Sequence, residues 1–178
     1  MEFPSQEQCI ALWDKYKMPE NIRTHTRAVA RVADKVAAVI AAQAVAIDLD
    51  LVNRGALLHD IAKLKGIQGG SEARHTVEGG KIIEQEGLGR RLAEVVRNHG
   101  LEEFSFDLPI EDQIVNYADR RVVHDKIVSL DERLRDLAER YPRARGVIEE
   151  KRPLYEEFEE RYKLPSIYHD LATGNSIK

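Results

Sequence analysis

Apolar residues recur three and four positions apart along nearly the whole chain, and that spacing predicts helices. A first helix is read from Ser5 to about Tyr16, with Ser5 as its N-cap. Pro19 opens a second that reaches about Gln43, with Ala28, Val29, Val32, Val36 and Val39 on its apolar stripe; proline is well tolerated in a first turn. A third, capped by Asp48 or Asp50, runs through Leu51, Leu57, Leu58 and Ile61. The three glycines between Lys65 and Arg74 mark the main irregular loop. Helices follow from about His75 to Glu86 and from Gly89 to Asn98. After a turn between Glu102 and Asp107, Pro109 starts a long sixth helix that is predicted to continue to about Tyr141. Pro142 interrupts it, a charged seventh helix reaches about Tyr162 with Glu149 to Arg161 read as an exposed face, and the tail after Pro165 frays. No alternating strand pattern and no internal repeat competes with this reading.

Several polar residues fall where that pattern calls for core. His99 continues the spacing of Leu92, Val95 and Val96, and Asp119 lies on a stripe with Val115, Val122 and Val123. Residues three and four apart share a helix face, so this aspartate is expected to be buried. A buried carboxylate needs an ionic partner or a metal. His25 shares a stripe with Val29, Val32 and Val36; His59 and Asp60 interrupt the apolar run Ala56 to Ala62; His75 heads a face continued by Gly79 and Ile82, the glycine leaving room beside the imidazole. Taken singly, each has a plainer account as a hydrogen-bonded core group, and Asp119 as the partner of a buried arginine such as Arg31 or Arg54. Together, His25, His59, Asp60, His75, His99 and Asp119 make a candidate metal site. The dipeptides His124-Asp125 and His169-Asp170 lack apolar flanks and are read as decoys.

Imidazole and carboxylate suit a first-row divalent ion, with Fe or Mn foremost and Co, Ni, Zn or Mg as alternatives. We expect one ion among His25, His59, Asp60 and Asp119, and a second held by His75 and His99, with Asp60 bridging. Paired ions lie roughly 3.5–4 Å apart and lower the pKa of bound water toward about 7. Such a site favours hydrolysis at phosphorus, with Asp60 and Lys63 taking part in the chemistry. Lys63, one turn after His59, reads as a phosphate contact or as a solvated helix end favoured by the dipole. Arg120 reads as a residue of the pocket mouth that touches substrate, or as a surface salt bridge.

Composition narrows the setting. The chain has 178 residues, 43% of them hydrophobic, which suits one packed domain. We expect a single domain over 1–178, with a ligand-bearing core at about 19–140 and a C-terminal helix and tail at 142–178. The net charge of −4 provides no basic excess for extended nucleic-acid binding, while a small phosphorylated substrate needs only local cations. One cysteine, Cys9, excludes an internal disulfide and a thiolate metal site; between Ile10 and its other neighbours it reads as core. The start has no charged leader followed by an apolar stretch. The longest apolar region, Val36 to Ile47, falls short of the about 20 residues that span a membrane. A soluble, cytoplasmic protein that binds neither membrane nor extended nucleic acid is expected, its oligomeric state left open. Trp13 and Tyr16 read as packing residues.

In their order and contexts these residues resemble the HD-domain phosphohydrolase superfamily. The strings that carry the resemblance are Arg23-Thr-His25-Thr-Arg-Ala-Val29, Leu57-Leu-His59-Asp60-Ile-Ala-Lys63 and Asn116-Tyr-Ala-Asp119. His75 in Arg74-His-Thr-Val-Glu-Gly-Gly80 and His99 in Arg97-Asn-His-Gly100 are similar to the two further histidines of its dinuclear members. The resemblance implies an all-α helical bundle with a five-helix core and hydrolysis of phosphate esters or anhydrides, as a phosphomonoesterase, phosphodiesterase or nucleotide pyrophosphohydrolase. The Gly-Tyr-Pro signature of the branch that cleaves cyclic dinucleotides does not occur in the chain. Leu57–Lys63 and Tyr117–Arg120 are similar to a branch that cleaves dinucleoside tetraphosphates. The rival readings are a regulatory module that binds a metal or phosphorylated ligand without turnover, and a metal-free helical scaffold.

Overall fold

The computed structural model describes residues 3–68 and 75–164. Over those residues the fold is all-α apart from one short hairpin. Helix α1 (Gln6–Lys15) begins at Ser5, whose hydroxyl accepts from the Gln8 amide in a reciprocal capping box. Its Trp13 is fully buried and donates from Nε1 to the Leu57 carbonyl at 2.8 Å, tying α1 to the third helix. Cys9 is buried beside it, and burial pushes its thiol up to about 11, so it serves as core rather than as a nucleophile.

Helix α2 (Glu20–Ala41) is the central element and packs against α3 (Leu49–Leu58) and α7 (Ile110–Asp119). Val29, Val32, Val36 and Ile40 are fully buried along its stripe. Helices α5 (His75–Gln85) and α6 (Arg90–Arg97) pack on one another, and α6 closes on α3 and α7. The approach of α3 to α6 depends on Gly55, because a Cβ there would stand 2.4 Å from Val95 Cγ1. Gly79 has a similar role. A Cβ at Gly79 would meet Val96 Cγ1 at 2.8 Å, so the glycine lets α5 close on α6 rather than making room for the His75 ring.

Three elements depart from the sequence reading. The third helix stops at Leu58, and His59 to Ala62 form a turn before α4 (Lys63–Gln68). Tighter i→i+3 bonds, Ile61 N to Leu58 O at 3.0 Å and Lys63 N to Asp60 O at 2.9 Å, wind the chain there. Helix α4 takes the first residues of the expected Lys65–Arg74 loop; the rest of that loop, Arg74 included, lies outside the described residues, as do His169-Asp170 and the tail after Pro165.

The predicted sixth helix from Pro109 to Tyr141 is two helices. After α7 come strands β1 (Val122–Val123) and β2 (Lys126–Ile127), paired Val122 to Ile127 and Val123 to Lys126, and then α8 (Leu130–Arg140). The turn places His124 at φ 57°, a left-handed conformation no helix tolerates. Ser129 then caps α8 by accepting from the Glu132 amide at 3.1 Å. A 3-10 turn (Pro142–Ala144) leads into α9 (Arg145–Tyr162). The run from Glu149 to Arg161 is not wholly exposed, because Tyr155 and Phe158 are fully buried, Tyr155 stacked on Phe104 at a centroid distance of 4.2 Å and Phe158 edge-on to it at 5.7 Å.

Candidate metal centre

His59 and Asp60 occupy the turn that ends α3. Adjacent residues on a regular helix point about 100° apart and cannot share a site. The tightened turn overcomes this, and His59 Nε2 lies 3.6 Å from Asp60 Oδ2. The other candidates come from the ends of elements packed around that turn: His25 near the start of α2, His75 at the first position of α5, His99 just past α6, and Asp119 at the last position of α7.

Three of the imidazoles are oriented in the same way. His59 Nδ1 lies 2.7 Å from the Ala56 carbonyl, His99 Nδ1 2.6 Å from the Val96 carbonyl, and His25 Nδ1 2.7 Å from the His124 carbonyl. A ring that donates from Nδ1 to a carbonyl keeps Nε2 as its lone-pair nitrogen, the arrangement that fixes histidine ligands. The Nε2 atoms then face inward. His75 Nε2 lies 2.9 Å from His99 Nε2 and 3.2 Å from Asp60 Oδ1, with His99 Nε2 at 3.6 Å from the same oxygen.

The ligand atoms form two groups that share one residue. His25, His59 and Asp60 make the first, Asp60, His75 and His99 the second, and within each the atoms lie within 4.8 Å of one another. Asp119 adjoins the first group, its Oδ1 3.0 Å from His25 Nε2. All of these side chains are buried except His25, which is partly so. His59 Nε2 and Asp60 Oδ1 are buried without a well-directed hydrogen-bond partner. Buried polar atoms left so are unfavourable unless a cation meets them, and the nitrogen and oxygen donors fit a divalent transition metal.

Electrostatics keeps His59, His99, Asp60 and Asp119 in their ligating states, whereas His25 goes the other way. Burial lowers His59 to about 4, so its imidazole is neutral at pH 7; burial lowers His99 too. Burial works against the Asp60 charge, but Lys63, whose Nζ lies 3.7 Å from Oδ1, and the surrounding histidines hold the carboxyl well below the usual carboxylate range. Asp119 is likewise held far down against burial by Arg120, His25 and Arg133. For His25, burial is outweighed by the hydrogen bond to Asp119, and its value rises.

In the metal-free protein these shifts set an acid sensitivity. His59 takes up a proton near pH 6.5 when unfolded but only near 4 when folded, so its stability contribution is present above 6.5 and lost as pH falls toward 4, about 3 kcal/mol in full. His99 acts in the same direction. His25 opposes them, because its raised value favours the folded state at low pH. We expect the melting temperature of stripped protein to fall by several degrees between pH 7 and 5; an unchanged or rising value would contradict the buried neutral His59.

The supporting residues were only partly legible in the sequence. Arg120 is buried rather than in a surface salt bridge: it lines the cavity, pairs with Asp119 and donates from Nη2 to the His99 carbonyl at 2.9 Å. The partners of Asp119 are Arg120 and Arg133, whereas Arg31 is exposed and Arg54 donates to the Pro4 carbonyl. Asn116 Nδ2 donates to the Asn98 and Gly100 carbonyls at 2.8 and 2.6 Å and clamps the segment carrying His99, while the Tyr155 hydroxyl donates to Asn116 Oδ1 at 2.7 Å. Arg133 was missed, although it carried the same signal as the histidines: a charged residue on the stripe of Leu130, Leu134 and Leu137. His124, read as a decoy, touches the site through its backbone carbonyl.

The centre opens into a cavity of about 590 Å³, lined also by Lys63, Arg133 and Leu137. Among the described residues no helix is long and apolar enough to cross a membrane.

Comparison with known proteins returns an HD domain matching residues 22–122, a span from before His25 to beyond Asp119. The chain is 32% identical to a tRNA (cytidine(56)-2'-O)-methyltransferase of Thermoplasma volcanium, over 72% of this chain and 40% of that protein. It is 29% identical to a protein of the same description in Picrophilus torridus, over 71% of this chain and 39% of that one. An uncharacterized protein of Methanocaldococcus jannaschii is 29% identical over 68% of this chain and 78% of its own length. The chain spans about two-fifths of the length of the two methyltransferases. No solved structure matches.

Proposed function

The chain belongs to the HD-domain family, and from that premise we propose that it is a metal-dependent phosphohydrolase acting on a small phosphorylated molecule, a nucleotide or a relative of one. The observation that carries the reading is Asp60, one buried carboxylate shared by two converging groups of ligands. His25, His59 and Asp60 would hold one divalent ion with Asp119 beside it, and Asp60, His75 and His99 a second. When bound, such ions lower the pKa of water toward about 7 and neutralise phosphate oxygens.

The chain's own residues supply the rest. The Ala56, Val96 and His124 carbonyls hold three imidazoles with Nε2 inward, so the donors need not reorganise on binding. Lys63 lies at the cavity with its side chain 26% exposed, where its ammonium can meet phosphate charge. Arg120 acts by positioning Asp119 and the His99 segment. The single domain expected over 1–178 is retained as part of this proposal.

A second reading draws on the names of the two longer relatives: a module that binds metal or a phosphorylated ligand without turnover, in the service of RNA modification. Metal content and a hydrolysis screen separate the two. Protein loaded with Mn, Fe, Co or Ni would be assayed against mononucleotides, cyclic dinucleotides and dinucleoside polyphosphates, with tRNA binding measured in parallel. Our reading expects about two ions per chain and turnover of at least one class. Metal-loaded protein that binds tRNA and cleaves none of the three would favour the module, and stripped protein whose melting is unmoved by Mn or Fe would reject both.

A further inference from the structure

Helix α8 brings one face to the cavity that the metal centre does not use. Arg133, Leu137 and Arg140 lie four and three residues apart on it and all line the cavity. Arg133 stands deepest. Its side chain is 10% exposed, Nη1 donates to Asp136 at 2.9 Å, Nη2 lies 3.6 Å from Asp119 Oδ1, and the buried Nε has no hydrogen-bond partner among the described residues. A buried guanidinium with an unfilled donor, next to a candidate metal ligand, has the chemistry of a phosphate contact.

Outward from Arg133 an apolar strip runs along the wall between Arg140 and Arg143, which line the cavity too. Leu137 continues into Ala144 and Val147, contributed by the 3-10 turn and the start of α9, and Leu101 faces the same cavity. Arg140 is held by Asp136, with Nε at 2.8 Å from Oδ1. On another lip Glu102 and Glu103 are exposed, and their carboxylates oppose a second phosphate there. The cavity thus has Arg133 beside the metal centre, an apolar strip flanked by Arg140 and Arg143, and one anionic lip.

We infer that this α8–α9 wall is the substrate-recognition surface: Arg133 takes the phosphate next to Asp119, and Leu137, Ala144 and Val147 take the apolar face of the alcohol it esterifies. This rests on the phosphohydrolase reading and deepens it. The substrate class is a phosphate monoester of an alcohol that carries an apolar face, a nucleoside foremost, with a single phosphate at the centre. The wall lies almost wholly outside the residues matched as HD domain, so this chain's selectivity comes from its C-terminal helices.

The test is binding, which does not depend on turnover. The probes are the carbon-bridged phosphonate analogues of adenosine 5′-monophosphate and of glycerol 3-phosphate, neither hydrolysable, titrated calorimetrically into the full Mn-loaded chain. Wild type should bind the nucleoside analogue at least about tenfold more tightly. Leu137→Ser and, on a separate element, Val147→Ser should each shrink that preference severalfold while leaving the glycerol analogue unchanged. Arg133→Gln should weaken both probes about tenfold, and Arg133→Lys, which keeps the charge but not the fork, should recover part of the loss. No preference in wild type, a preference intact in both serine variants, or phosphonate affinity indifferent to Arg133 would overturn the inference. A preference present in protein that hydrolyses nothing would sustain the surface and remove the hydrolase reading.

Discussion

Asp60→Ala should lose both metal ions and essentially all phosphohydrolase activity, a larger effect than replacing any histidine of the centre. The reason is its shared position: Oδ1 lies 3.2 Å from His75 Nε2, Oδ2 lies 3.6 Å from His59 Nε2, and both ligand groups include the residue. Losing even an outer-shell partner of a metal ligand lowers affinity or activity about 10–100-fold, so loss of a residue that would serve both groups should exceed a hundredfold. The paired variant His75→Ala/His99→Ala empties only the second group and should retain one ion per chain. Metal analysis of both proteins, with turnover by phosphate release, checks the prediction. Asp60→Asn, nearly isosteric, separates loss of charge from loss of shape. Two ions retained in Asp60→Ala would dismiss the bridging role.

The largest stability effect should come from Asp119→Ala in metal-free protein. Asp119 is 7% exposed and Arg120 4%, and the guanidinium is paired with this carboxylate, which raises it above its usual value against the opposing pull of burial. Removing one partner of a buried pair leaves the other charge uncompensated, about 3–5 kcal/mol. At roughly 2–4 °C per kcal/mol for a chain of this size, the melting temperature should drop by about 10 °C. The double variant Asp119→Ala/Arg120→Met removes the stranded cation as well and should recover much of the loss. A double variant as unstable as the sum of its singles would show that the two residues are not coupled.

The all-α fold and the helices α1, α2, α5 and α6 were legible because each buries one continuous stripe, and a 3.6-residue period is a local property. The candidate ligands were legible for the same reason: His25, His99 and Asp119 are polar residues in apolar phase, and burial makes that placement unfavourable without a partner. The break after Asp119 was hidden. Val122, Val123 and Ile127 also satisfy the helical stripe, and strands of two residues are too short to display a period of two. The Ser129 cap and the β-branched pairs Val122-Val123 and Ile127-Val128 on either side of His124-Asp125-Lys126 were the available signals. The core face of α9 was hidden by its charges, since Ile148, Tyr155 and Phe158 form only a thin stripe among them.

The sequence alone thus determined the helical class, the burial of His59, Asp60, His99 and Asp119, and the chemical type of the candidate ligands, because these follow from periodicity and from the energetics of burying polar groups. Tertiary structure decided which carbonyl orients each imidazole, that Asp119 pairs with Arg120 and Arg133, and that Arg133 and Leu137 face the centre. Those facts join residues far apart in the chain or depend on which way an element end turns. No local pattern encodes them, because they are set by how helices pack.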